Sequence, residues 1–224
     1  MLSVILPIYN EAEGLESFIS VLHSELDKCD LPFEIIFIND GSQDNSLHII
    51  KTLCSINTTY RFINLSRNFG HQVAVSAGID YAKGDAILLI DSDGQDPPEV
   101  ISQLLTKMNE GYDVVYAQRK KRADESFLKK LTAKFFYKIL NKITSIEIPV
   151  DTGDFRVMNR KVADALKRMP EKQRYLRGQI AWLGFNQTSV QYERKGRNAG
   201  ETGYTYRKMI RLALDAITSF SNWP

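Results

Sequence analysis

The run Ala86-Ile87-Leu88-Leu89-Ile90 constrains the fold of this 224-residue chain more than any other segment. It is short, aliphatic and unbroken, and it lies between Gly84-Asp85 and Asp91-Ser92-Asp93. A strand with one wet face alternates polar and apolar residues. An uninterrupted apolar run instead demands burial on both faces, as in a parallel sheet covered by helices. Strand-like runs recur at Leu2–Pro7, Phe33–Asn39, Arg61–Leu65 and Asp113–Ala117. Between them the periodicity is helical: Leu15, Phe18, Ile19, Leu22 and Leu26 share one face, as do Leu47, Ile50 and Leu53. Val73–Ala82 and Glu99–Asn109 read as two further helices, the second opened by Pro97-Pro98. Such alternation predicts right-handed βαβ units and an α/β fold with a mostly parallel sheet flanked by helices.

After Ala117 the pattern changes to a basic segment, a glycine-containing segment at Asp151–Arg156, two short helices and a strand at Phe185–Tyr192. Tyr204–Phe220 reads as a final helix. The length suits one large domain, and 43% hydrophobic with 25% charged residues is ordinary for a soluble globular protein. The net charge of +2 is unremarkable, and no nucleic-acid partner is expected. Cys29 and Cys54 lack metal-type spacing and read as buried or idle thiols in a reducing compartment. Because Leu2 already opens a strand, the expectation is no signal peptide, and no apolar stretch is long enough for a spanning helix.

In open α/β sheets, ligands bind in the crevice beyond the carboxyl ends of the strands. Asp91-Ser92-Asp93 ends the most apolar strand and delivers hard oxygen ligands there, which suits Mg2+ or Mn2+ holding substrate phosphates. The plainer alternative is a carboxylate pair capping the helix near Pro97. Pro7-Ile8-Tyr9-Asn10-Glu11 ends the first strand with an aromatic that can stack a base, or starts a helix with Asn10 as N-cap. Asn39-Asp40-Gly41-Ser42 ends the second, where Asp40 can reach uracil or ribose and Asp44 and Asn45 can cap. Three polar turns at one edge favour a nucleotide cleft.

Together these residues resemble the inverting, GT-A-fold glycosyltransferases of family 2. Leu65-Ser66-Arg67-Asn68-Phe69-Gly70-His71, Gln95-Asp96-Pro97-Pro98-Glu99 and Asp151-Thr152-Gly153-Asp154-Phe155-Arg156 resemble the bacterial branch that moves a sugar onto polyprenyl phosphate. The resemblance runs from Leu2 to about Met209. It implies a GT-A domain over residues 1–203, a juxtamembrane helix over 204–224, and a hexose donor such as UDP-glucose. GDP-mannose and UDP-amino sugars are alternative donors. It allows a homo-oligomer, a tetramer, at the cytoplasmic face of the membrane. Members commonly continue into two transmembrane helices beyond the position of Pro224, and carry a lysine where this chain has Gly203 before Tyr204.

The resemblance implies roles. Asp93 would ligate the metal directly, Asp91 would reach ribose or a metal-bound water, and Gln95 would add a neutral oxygen. Pro7, Tyr9, Asn10, Glu11, Asp40 and Ser92 would line the nucleotide, with Arg119 and Arg197 neutralising its diphosphate. Lys195 and Arg197 would meet the acceptor phosphate, and Asp154 has the position of the catalytic carboxylate. A phosphate acceptor, with its second pKa about 6, arrives largely ionised, so Asp154 is expected to position groups or balance Arg156 more than to remove a proton. His71 and His48 read as ordinary helix residues.

Ser126–Ser145 carries Lys129, Lys130, Lys134, Lys138 and Lys142, no acid, and an apolar face with Phe127, Phe135 and Phe136. That is the pattern of a helix lying in an anionic membrane surface, and the alternative is a helix packed on the domain with its lysines in water. The rival classes fit less well. A nucleotidyltransferase would show a glycine-rich turn and arginine after the first strand, and a processive synthase a Gln-x-x-Arg-Trp motif. A silent sugar-nucleotide-binding module has no need of Asp91, Asp93 and Asp154 together.

Overall fold

The structure is a computed structural model and describes residues 1–120, 152–171 and 175–193. The helix expected at 126–145, Lys195, Arg197 and the segment 204–224 lie outside the described residues. In chain order the elements are β1 Leu2–Ile8, α1 Leu15–Asp27, β2 Phe33–Asn39, α2 Ser46–Ile56, β3 Tyr60–Asn64, α3 His71–Tyr81 and β4 Ala86–Leu89. A 3₁₀ turn at Pro98–Val100 leads into α4 Ile101–Asn109, followed by β5 Val114–Arg119 and β6 Thr152–Asn159. The described part ends with α5 Arg160–Arg168, α6 Leu176–Trp182 and β7 Gln187–Tyr192.

The strands form one sheet in the order β3-β2-β1-β4-β6-β5-β7. Neighbours pair in parallel except at β6, which is antiparallel to both β4 and β5. The period of two divides each central strand between two cores. Leu2, Val4, Leu6 and Ile8 of β1, Ile35 and Phe37 of β2, and Ala86 and Leu88 of β4 pack with α1, α2 and α4 on one face. Ile5, Ile36, Ile38, Ile87 and Leu89 pack with α3, α5 and α6 on the other. Burial on both faces is the reason that Ala86–Ile90 can be apolar throughout.

The expected strands and helices of the first half form within two residues of their expected ends. Leu15, Phe18, Ile19, Leu22 and Leu26 are the buried residues of α1. Two local expectations fail. Asn10 is not an N-cap: α1 begins after Gly14, and Asn10 adopts φ 56 in the preceding loop. Asp151–Arg156 was expected only as a glycine-containing segment, yet Thr152 opens a full sheet strand. Cys29 and Cys54 are partly buried, and burial pushes the Cys54 thiol up to about 11, as suits an idle thiol. Among the described residues no helix is long and apolar enough to cross a membrane.

Loop packing at the carboxyl edge turns on Gly41. Its φ is +68, and an added Cβ would stand 2.4 Å from the carbonyl carbon of Arg67 and 2.5 Å from the nitrogen of Asn68. Neither the conformation nor the backbone contact admits a side chain. Gly41→Ala should destabilise the fold by about 2–6 kcal/mol, summing left-handed strain and overpacking. Gly14→Ala, with nothing within 4 Å of the added carbon, should change stability by less than about 1 kcal/mol. Urea midpoints measure both; equal midpoints for the two variants would contradict this packing.

Candidate active site

Strand order places the reversal of chain direction across the sheet between β1 and β4, and ligands bind in the crevice beyond such a point. Ser92, at the exit of β4, fastens the two strands there by donating its Oγ–H to the Pro7 carbonyl at 2.9 Å. Tyr9 keeps 43% exposure at the exit of β1. The β1 and β2 exit loops are stitched together. Asn10 donates its N–H to Ser42 Oγ at 3.1 Å and accepts from the Gln43 N–H at 2.8 Å. Glu11 N–H donates to Ser46 Oγ at 3.1 Å, and Ala12 N–H to Asp44 Oδ2 at 2.9 Å. Asp44 also accepts from Ser46 N–H at 3.0 Å, the capping role expected of it at the start of α2. Asn10 and Glu11 therefore shape the wall through their backbone and amide groups.

Asp40 is buried, and both its oxygens are engaged: Phe69 N–H donates to Oδ1 at 2.8 Å and Gly70 N–H to Oδ2 at 2.9 Å. Its carboxylate thus fixes the loop that starts α3. Arg67 lies over the Phe69 ring in the same loop, 4.1 Å from the centroid. The next two residues, His71 and Gln72, open α3 at the crevice.

The antiparallel sense of β6 brings its beginning, rather than its end, to the carboxyl edge. Leu89 pairs with Arg156; carried two residues on, the register sets Asp91 level with Asp154. His71 stands between them, with Nε2 2.9 Å from Asp154 Oδ2 and 3.7 Å from Asp91 Oδ1. Asp154 Oδ1 accepts from Arg177 Nε at 2.8 Å, and Gln72 Nε2 donates to Oδ2 at 3.3 Å. The buried Arg156 donates to the Gly153 carbonyl at 2.9 Å and lies 3.7 Å from Asp154 Oδ1. Arg119, at the end of β5, donates its Nε–H to Tyr192 Oη at 3.2 Å and has Nη2 3.9 Å from Asp96. Tyr192 in turn donates a short hydrogen bond to Asp96. A Cβ at Gly153 would lie 3.0 Å from Arg119 Nη2, so glycine there lets the guanidinium close over the strand beside Asp154.

These environments push the titrating groups apart. Burial opposes ionisation of Asp154, but the charge and hydrogen bond of Arg177 and the close approach of His71 outweigh it and hold its carboxyl well below the usual range. Burial likewise opposes the His71 imidazolium, yet Asp154 and the charge of Asp91 push His71 up to about 9. Asp91 goes the other way. Burial raises it to about 6, with His71 opposing and Asp154, Asp96 and Asp93 adding.

Crowded negative charge around Asp91 and Asp93 fits a divalent cation, and their oxygens are the hard donors that Mg2+ or Mn2+ prefers. Asp93 Oδ1 accepts from the Gln95 N–H at 3.0 Å, and Gly94, at φ +68, makes that turn. Gln95 is buried beside it. Among the described residues no group of three His, Cys, Asp or Glu forms a metal cage. A cation here would take much of its coordination from ligand oxygens and water, as Mg2+ does.

His71 is thus not ordinary. With Gln72 and Arg177, it belongs to the site and was missed in the sequence, whereas Arg156 stands beside Asp154 as expected. His71 was legible in part, since it closes the Leu65–His71 motif at the carboxyl edge. Arg177 follows Asp154 by 23 residues in a short helix, with no local signal.

His71 carries a testable titration. Its folded pKa of about 9 exceeds the ordinary 6.5. The linked stability is therefore complete below about 6.5 and is lost as pH rises through about 9. Imidazole NMR of the metal-free protein should give a midpoint about 9, and Asp154→Asn should lower it markedly. A wild-type midpoint at or below 6.5 contradicts the pairing.

The family model for glycosyl transferase family 2 matches residues 3–167. The chain is 48% identical over 222 residues to an uncharacterized glycosyltransferase, YkcC, of Bacillus subtilis, covering 99% of this chain and 69% of that protein. It is 39% identical to the bactoprenol glucosyl transferase of Shigella phage SfV, over 100% of this chain and 73% of the relative. Among solved structures, the glucosyl-3-phosphoglycerate synthase of Mycobacterium tuberculosis, in complex with Mn2+, UDP and phosphoglyceric acid, superposes with a TM-score of 0.68. That match has 20% identity and covers 100% of this chain and 79% of the other, a likeness of fold. The crevice at the β1–β4 reversal, the carboxylates facing it and the extent of these matches agree: the chain belongs to glycosyl transferase family 2, has the GT-A fold, and falls in the branch that includes the bactoprenol glucosyl transferases.

Proposed function

We propose that this chain transfers a hexose from a nucleotide-diphosphate sugar, UDP-glucose or a close relative, to a polyprenyl phosphate, with inversion, at the cytoplasmic face of the membrane. The observation that carries the acceptor half is the state of Asp154. A general base works best with a pKa near the operating pH. Asp154 is instead held well below the usual carboxylate range, with Arg177 on one oxygen and His71 and Gln72 on the other. Such a group is poorly suited to deprotonate an alcohol. It suits an acceptor that arrives ionised, and a phosphate monoester, with its second pKa about 6, does so. Relatives 39–40% identical over the whole chain are named as bactoprenol glucosyl transferases or a homologue of one, which supports the same acceptor class.

In this reading an acceptor phosphate oxygen attacks the anomeric carbon from the face opposite the leaving group. The bond from that carbon to the diphosphate breaks, and its electron pair stays on the nucleoside diphosphate. Pro7, Tyr9, Asn10, Glu11 and Asp40 form the nucleotide end of the cleft. Arg119 is drawn toward the departing diphosphate, and Arg197, beyond the described residues, is proposed to join it. Lys195 and Arg197 would steady the acceptor phosphate. Asp154 holds His71 and Arg177 as fixed cations at the point where the acceptor approaches. Asp91, Asp93 and Gln95 would hold Mg2+ or Mn2+, which supplies Lewis-acid stabilisation of the leaving diphosphate. The lysine-rich stretch Ser126–Ser145 would rest on anionic lipid.

Radiolabelled transfer from UDP-glucose to undecaprenyl phosphate in anionic vesicles tests the reading, with GDP-mannose and UDP-N-acetylglucosamine as competing donors. Activity should fall at acid pH through a limb near 6, and a methylene-phosphonate acceptor, a weaker acid, should move that limb upward. Asp154→Asn should lose rate by about 100-fold or more while keeping the limb. Replacing Lys130, Lys134 and Lys138 by Glu should weaken vesicle binding roughly 100-fold, from about 1 kcal/mol per lysine. An acid limb that ignores the acceptor and vanishes in Asp154→Asn would make Asp154 the base. Transfer to no polyprenyl phosphate would reject the function.

A further inference from the structure

Gln72 makes two hydrogen bonds that join elements far apart in sequence. From the first turn of α3 its Oε1 accepts the Leu176 N–H at 3.0 Å, and its Nε2 donates to Asp154 Oδ2 at 3.3 Å. A backbone N–H can only donate, so Leu176 fixes the amide with its oxygen toward α6 and its nitrogen toward the carboxylate. Leu176 is the first residue of α6, and the next residue, Arg177, donates to Asp154 Oδ1 at 2.8 Å. One side chain therefore holds one oxygen of Asp154 and the start of the helix that holds the other.

We infer that Gln72 is a positioning residue for sugar transfer: it ties the first turn of α6 to α3 and so sets where Arg177 meets Asp154. The role rests on the transfer reading given above. Three features make it more than a packing contact. Its amide is oriented by a donor that cannot reverse. Its two partners, Asp154 and Leu176, lie on β6 and at the start of α6, so a single side chain of α3 bonds to both. Finally, the Asp40 carboxylate, through Phe69 and Gly70, fixes the loop that leads into the turn of α3 carrying Gln72.

Two substitutions in the full chain separate the two bonds. Gln72→Glu keeps an acceptor for Leu176 but, assayed at about pH 8 where the new carboxyl is ionised, offers Asp154 no donor. Gln72→Met fills a similar volume with neither bond. Amide hydrogen exchange at Leu176, read without turnover, should accelerate about five- to tenfold in Gln72→Met and stay near wild type in Gln72→Glu. Both variants should lose kcat about 10- to 100-fold with the donor KM within about threefold. Wild-type exchange in Gln72→Met, or wild-type kcat in both variants, overturns the inference. So does a loss that falls on donor KM with kcat intact, since that would place Gln72 in donor binding. A wild type that transfers no sugar overturns the functional reading and leaves the tie to α6 to be decided by exchange alone.

Discussion

Strand β6 runs against both of its neighbours, and the site depends on that reversal. Had the strand joined the sheet in the parallel sense, Asp154 would enter at the amino edge, a strand's length from Asp91. Run backwards between β4 and β5, it delivers its first residues to the edge where the parallel strands end. Phe155 and Val157 enter one core and Met158 the other, so the strand is held by packing on both faces. Arg156, buried in the sheet, is satisfied by the Gly153 carbonyl and by Asp154 itself. The geometry around Asp154 thus rests on the hydrophobic cores rather than on a mobile loop.

Charge follows from that placement. Four carboxylates, Asp91, Asp93, Asp96 and Asp154, gather at one edge, and their environments differentiate them. Asp154 is met by Arg177 and His71 and stays ionised. Asp96 lies beneath Tyr192 and Arg119. Asp91 is raised by burial and by its acidic neighbours, with His71 the opposing charge. The crevice is consequently cationic around Asp154 and anionic around Asp91. One side suits an ionised acceptor and the other a divalent cation with a diphosphate, which is the division of labour that the proposed transfer needs.

Much of this was legible in the sequence. The apolar run ending at Asp91 announced a strand buried on both faces, and the face of α1 could be named residue by residue. The cleft could be placed because strand ends are where polar residues interrupt apolar runs, as at Tyr9, Asp40 and Asp91. Strand β6 was harder: Thr152-Gly153-Asp154-Phe155-Arg156 mixes charge and glycine, and its pairing is set by tertiary neighbours rather than by period. His71 read as a helix residue because local pattern carries no information about a partner at Asp154. Gln72 and Arg177 are joined to that carboxylate across 82 and 23 residues, distances at which sequence spacing is silent. Asn10 misled for a physical reason as well, since its left-handed backbone serves the loop rather than the helix.

The central claim is that the anionic side of this crevice binds a nucleotide diphosphate together with a divalent cation held at Asp93. Calorimetric titration of UDP in the presence and absence of Mn2+, on wild type and Asp93→Asn, tests it most directly. The account predicts binding to the wild type that strengthens at least about tenfold with Mn2+, a gain of about 1.4 kcal/mol, and loss of that gain in Asp93→Asn with the thermal unfolding midpoint preserved. Equal Mn2+-dependent affinity in the two proteins would contradict it.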